Sequence, residues 1–417
     1  MTLIAAALLA LCCPLPPGEG PAADSDWSQW RGPKRDGHSA DTGLLKEWPA
    51  GGPPLAWKAT GLGAGFSSVS VWGDRIFTMG DRGDSCFLIA LNAGDGKTVW
   101  TARVGGAEGG AGYPGPRCTP SADGKVVVAV GQFGDLVCVD QASGAEKWRK
   151  SLEKDFGGQT PNWGYSESPV LDGDRVLCIP GGPHGAVVAL KTETGDLVWR
   201  CGELHDAAAY PSLVPTEIDG KKQYLLLTFE TIAGLDPDGG KVLWKAARKG
   251  KVAVIPDPVQ KDGFVFTTSG YEVGCNVFKV SGSTAEEIYS DAAAGIPGRD
   301  RTANHHGGMV LVGDHLYGTN EHHLRCVELR TGRLLWENKS VGKGSVSFAD
   351  GNLIVRSEGT RGSVALVEAS PQGYKEHGRF DPPDRSRRES WPHPVISGGR
   401  LYLRDQDILL SYDVKAR

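Results

Sequence analysis

Ala90 to Trp100 reads ALNAGDGKTVW, and the same gapless pattern returns as CVDQASGAEKW (Cys138 to Trp148), ALKTETGDLVW (Ala189 to Trp199), GLDPDGGKVLW (Gly234 to Trp244) and CVELRTGRLLW (Cys326 to Trp336). In each copy a glycine stands four residues before the closing tryptophan: Gly96, Gly144, Gly195, Gly240, Gly332. Successive tryptophans are 48, 51, 45 and 92 residues apart, and Tyr289 occupies the slot vacant in the last interval. A fixed period of this length marks a repeat architecture. Each copy is a strand ending in a small and an apolar residue, a polar turn, and a second strand carrying the aromatic. The glycine supplies the positive φ that such a turn needs.

Upstream of these hairpins stand further strand pairs with their own turns, such as SVSVWGDRIFTMG (Ser68 to Gly80), PVLDGDRVLCIP (Pro169 to Pro180) and GMVLVGDHLYGTN (Gly308 to Asn320). Four strands per period of about 45 residues is a propeller blade, and no helical periodicity competes with it. The last repeat, Val395 to Arg417, stops before its aromatic strand. LAWK (Leu55 to Lys58) precedes the first full blade and can supply that strand, which removes the exposed edges. The fourth-strand slots are then Trp57, Trp100, Trp148, Trp199, Trp244, Tyr289, Trp336 and a worn one near Lys375, which predicts an all-β, eight-bladed β-propeller closed by an N-terminal strand. These aromatics are expected to dock between neighbouring blades.

The repeat resembles the PQQ-like β-propeller family, shared by quinoprotein dehydrogenases and the propeller lipoprotein of the outer-membrane barrel-assembly machinery. It is not the WD40 pattern, because no Trp-Asp closes the third strand. WSQWRGPKRDGHS (Trp27 to Ser39) and PNWGYSESP (Pro161 to Pro169) also resemble a group of exported bacterial PQQ-like proteins. PQQ or calcium is implied by the resemblance only. Quinoprotein dehydrogenases carry an adjacent-cysteine disulfide over the cofactor, whereas here the only Cys-Cys is Cys12-Cys13.

The chain has 417 residues, 59 of them glycine, with 40% hydrophobic residues and a formal charge of −5. That glycine share is roughly twice the usual one, and the apolar content excludes disorder. The near-balanced charge argues against nucleic acid as a partner. No run of about 18 apolar residues predicts a spanning helix. The apolar start, MTLIAAALLALCCPL, reads as a signal peptide over residues 1–23, and so predicts an exported, periplasmic or extracellular protein. Leu11 before Cys12 disfavours a lipid anchor. Residues 24–50 are expected as an extended lead-in and 51–417 as one propeller domain, acting as a monomer. The seven cysteines beyond the leader are an odd number and contain no C-x-x-C, so neither a full disulfide framework nor a zinc site is expected.

No catalytic motif occurs, and the adjacent histidine pairs cannot readily chelate one metal, so no catalytic residue and no metal site is predicted. Functional weight falls on the loops entering the innermost strands. They carry Tyr113, Arg117, Trp163, Tyr165, Glu167, Tyr210, Arg301, Asn304, His305 and His393, with Trp391 beside them, and are expected to ring the channel mouth. Convergent polar and aromatic groups on a concave surface suit a small molecule or a peptide. The expected function is therefore a non-catalytic binding or scaffold propeller holding a protein or small-molecule partner at one face. The alternative is a quinoprotein-like oxidoreductase or another channel-mouth enzyme.

Overall fold

The computed structural model describes residues 26–107 and 112–416. The expected signal peptide lies outside the described residues. Eight antiparallel four-stranded sheets form the blades, and one 3₁₀ turn, Gly298–Asp300, is the only helical element among the described residues. Blade 1 comprises Ser70–Trp72, Arg75–Arg82, Ser85–Asn92 and Thr98–Gly106, the shortest strand innermost and the last outermost. Blade 8 comprises Val395–Ser397, Arg400–Asp405 and Ile408–Asp413 with Leu55–Ala59 as its outer strand. Leu55–Ala59 pairs antiparallel with Ile408–Asp413, so the two ends of the chain close the ring.

The repeated motif is a bulged hairpin. Ala90 faces Trp100 but Leu91 faces Thr98, and the same register shift recurs at Cys138/Val139, Ala189/Leu190, Gly234/Leu235 and Cys326/Val327. The turn closes when Gly96 N donates to the Asn92 carbonyl at 2.9 Å, with Gly96 at φ +72°. Trp57, Trp100, Trp148 and Trp199 then lie across the turn glycines Gly96, Gly144, Gly195 and Gly240 of the next blade. A Cβ on Gly96 would come 2.6 Å from the Trp57 ring, and one on Gly144 2.7 Å from that of Trp100. The indole nitrogens of Trp57, Trp100, Trp148, Trp199 and Trp336 donate to carbonyls of Ala93, Gln141, Thr192, Pro237 and Ser370, all in the following blade's turn. Trp244 differs because the next blade reverses through a tight Ser281–Thr284 turn; its Nε1 donates instead to Gln223 Oε1 in its own blade. Tyr289 faces Val277 in the register of a slot tryptophan and packs on Gly332.

The worn slot expected near Lys375 falls at Gly378, three residues on. In blade 7 Leu366 faces Gly378, so a glycine stands where the tryptophan would be. Trp48 from the lead-in fills the space: a Cβ on Gly378 would come 2.7 Å from its Cβ, and its ring packs edge-on against Phe380 at 5.4 Å. Trp48 is buried, and its N–H donates to the His377 carbonyl.

The lead-in is also not simply extended. Residues 26–50 bridge to Val71 of blade 1, Phe348 of blade 7 and Lys415 beyond blade 8. Asp26 accepts from Gly73 N in a turn at the far end of the innermost strand of blade 1, and Ser28 accepts from Ala122 N in blade 2. The segment therefore enters from the face opposite the strand-entry loops and lies within the channel. Arg35 donates to the Ser168 and Pro169 carbonyls, and Arg31 to that of Met309.

Candidate functional site

Loops entering the innermost strands, together with the lead-in, enclose a cavity of about 270 Å³. That is near the lower end for small-molecule sites. Trp30 and Arg31 of the lead-in form part of its floor. Its walls include Phe66, Tyr113, Trp163, Tyr210, Tyr271 and Trp391. The rings touch in series. Trp391 contacts Phe66 at 4.3 Å and Tyr113 at 4.9 Å, and stacks on His306 at 4.3 Å. His306 meets His305, which meets Tyr271 edge-on at 4.8 Å; Trp163 and Tyr210 pair on another wall at 5.9 Å.

Six of the ten residues singled out from sequence line this cavity: Tyr113, Arg117, Trp163, Tyr210, His305 and His393. Four are absent from the lining. The Tyr165 hydroxyl donates to the Pro180 carbonyl. Glu167 is 2% exposed and accepts from Ile179 N at 2.6 Å. Arg301 donates to the Ile296, Glu272 and Val273 carbonyls. Asn304 is buried, donating to the Gly308 and Thr319 carbonyls and accepting from Gly308 N. Alternation holds only from Tyr165 to Ser168, where Ser166 and Ser168 line the cavity and Tyr165 and Glu167 face away. The turn at Gly164, φ +78°, brings Trp163 to the cavity side as well, and adjacent His305 and His306 both line it. Sequence reasoning missed Trp30, Arg31, Phe66, Asp257, Tyr271 and His306. Phe66 sits in the loop entering blade 1 and was discoverable by offset; the lead-in residues have no repeat equivalent.

Charge in the cavity is arranged by burial. Asp257 accepts from Trp30 Nε1 at 2.7 Å and Ser212 N at 2.8 Å, and lies 3.9 Å from Arg31 Nε. Desolvation raises its carboxyl, opposed by Arg31 and Arg35. The histidines are held neutral. Burial, then His306 and Lys343, push His305 down to about 2; burial and Arg31 push His393 to about 3. His393 Nε2 faces the His306 carbonyl at 2.9 Å and so carries the proton. Behind the rings Lys343 reaches Glu321 at 2.8 Å, Glu358 at 3.1 Å and His305 Nδ1 at 2.7 Å. Burial would lower the Lys343 ammonium, but the two carboxylates outweigh it and raise it.

Calcium does not fit this donor set. It takes six to eight oxygens, whereas the cavity's one carboxylate is engaged by two N–H donors and an arginine. Among the described residues no group of three or more His, Cys, Asp or Glu converges to hold a metal. The seven described cysteines are buried and free. No described helix is long and apolar enough to cross a membrane.

Ring closure, the bulged aromatic hairpin and the channel cavity define a PQQ-type eight-bladed propeller. The family model described as outer membrane protein assembly factor BamB matches residues 84–338, more than half of the chain, and the protein belongs to that family. It is 24% identical over 250 residues to BamB of Shewanella oneidensis, covering 58% of this chain and 60% of that protein. It is 27% identical over 285 residues to BamB of Burkholderia pseudomallei, covering 67% and 66%. The chain thus spans about two thirds or less of the length of these curated relatives. The crystal structure of BamB from Moraxella catarrhalis superposes with TM-score 0.59 at 16% identity, covering 84% of this chain and 95% of that one. Quinohemoprotein alcohol dehydrogenase from Comamonas testosteroni gives TM-score 0.63 at 12% identity, covering 95% and 82%. At such identities these two likenesses concern the fold alone.

Proposed function

We propose that this protein is an exported, non-catalytic binding propeller that holds its partner at the channel mouth formed by the strand-entry loops. The single observation behind this reading is the cavity, roofless toward one face, floored by the lead-in, and walled by contiguous rings from several blades. Scaffold work at the outer membrane agrees with the names of the relatives, which are assembly factors. The apolar leader agrees with export. A catalytic reading lacks support, because among the described residues the cavity imidazoles pair with Glu358, Lys343 and a backbone carbonyl rather than with a serine or cysteine, and His305 and His393 are poor bases when so strongly desolvated.

A photo-crosslinking residue placed at Tyr271, 37% exposed at the rim, tests the face directly against one at Leu197, 49% exposed on an outer strand. Adducts from the rim position support the reading, whereas adducts from the outer strand alone overturn it. Trp163→Ala should preserve folding, since Trp163 lies outside the docking slots, and weaken capture tenfold or more, about 1.4 kcal/mol.

A further inference from the structure

The cavity's ring-lined walls and its surplus of arginine donors are complementary to one chemistry. We propose that it binds a small aromatic carboxylate, the ring held among Phe66, Trp163, Tyr210 and Trp391 and the carboxylate met by Arg31 and Arg117. This deepens the channel-mouth reading above and rests on it.

Formal charges on the lining are Arg31, Arg117 and Asp257, with its histidines neutral, so one positive charge is in excess. Asp257 is already engaged by Trp30, Ser212 and Arg31. Arg117 donates to the backbone carbonyls of Tyr113 and Gly115 and makes no ion pair within 4.0 Å among the described residues. Arg31 is 4% exposed, yet its Nε and Nη1 have no hydrogen-bond acceptor. Nη2, shared by both two-donor edges of the guanidinium, is taken by the Asp36 and Met309 carbonyls, so Nε and Nη1 offer an anion single hydrogen bonds rather than a fork. Nη1 is threaded against Gly308, where any Cβ would collide with it. Gly308 has φ +66°, so both its backbone and its bareness keep the arginine in place. In the cavity wall, buried Trp391 Nε1 is a further donor without an acceptor. One excess charge favours a monoanion over a phosphate ester, which carries nearly two negative charges. The apolar walls and the modest volume favour one or two rings.

Calorimetry on the full processed protein tests this with indole-3-acetate, indole-3-acetamide and tryptamine, which differ in head-group charge. The acid should bind at least tenfold tighter than the amide, and the amine weakest. Arg117→Gln should bring the acid to the level of the amide; Arg31→Gln should do the same, and Arg117→Gln stands alone if Arg31→Gln does not fold. Equal binding of acid and amide, or a preference that survives Arg117→Gln, overturns the inference. If no probe binds while Trp163→Ala still abolishes partner capture, the ligand chemistry is wrong and the binding face stands. If no probe binds and Trp163→Ala leaves capture intact, both fall.

Discussion

Glu167 is the buried acid whose burial has the clearest consequence for pH. It accepts from Ile179 N on one oxygen, and the other has no partner. Burial pushes its carboxyl up to about 8, only partly opposed by that hydrogen bond and by Arg35. An unfolded glutamate titrates near 4.3. Between roughly those values the unfolded chain releases a proton that the folded one keeps, so this group's stabilising contribution is full below about 4.3 and is lost as pH rises through 8. His305 and His393 act in the opposite sense. Their folded values are depressed, so their contribution is present above about 6.5 and falls away as pH drops toward 3. Thermal melts from pH 4 to 9 should show Glu167→Gln losing less stability than the parent between pH 5 and 8. His393→Gln should flatten the acid limb instead. A parallel shift at every pH would mean that neither group titrates as its burial dictates.

At the scale of strands and turns, most blades are joined to the next by an aromatic lying on its turn, Trp244 being the exception that bonds within its own blade. Gly96→Ala places a Cβ 2.6 Å from Trp57 and strains a residue at φ +72°. It should cost at least about 1–3 kcal/mol in urea denaturation. Trp48 performs the same task in blade 7 from outside the repeat, because Gly378 leaves the slot bare. Trp48→Ala should therefore cost about 3–5 kcal/mol, as for a core tryptophan. A cost below about 1 kcal/mol would show that the lead-in merely rests on blade 7.

For the molecule as a whole, closure and channel floor are separable. Removal of residues 1–40 takes away Trp30 and Arg31 but leaves Leu55–Ala59 paired in blade 8. Far-ultraviolet circular dichroism should keep its β signature while any ligand of the cavity is lost. Removal through residue 60 also strips the outer strand and exposes the edge of Ile408–Asp413. That variant should aggregate, as light scattering would reveal; a monodisperse product would contradict the closure argument. The buried free cysteines imply that reductant leaves the melting temperature unchanged.

The sequence by itself determined the blade, the blade count and the closing strand. Those features rest on local pairing, where a small residue, a turn glycine and an aromatic recur at fixed spacing, as from Ala90 to Trp100. It also marked the loops from which the site is built, because a repeat places equivalent loops at equivalent points. Only the tertiary structure decided which side chains in those loops face the cavity. Tyr113, Trp163 and His305 turn inward, while Tyr165, Glu167 and Asn304, a residue or a few away, serve backbone partners in the core. It alone placed Arg31 beneath the rings and Trp48 in the bare slot of blade 7. The physical reason is range: pairing within a hairpin is fixed by neighbours in sequence, but a channel is filled by whichever segment is long enough to reach across it. Residues 26–50 follow no repeat, so their place is set by contacts with blades hundreds of residues away, from Met309 to Lys415.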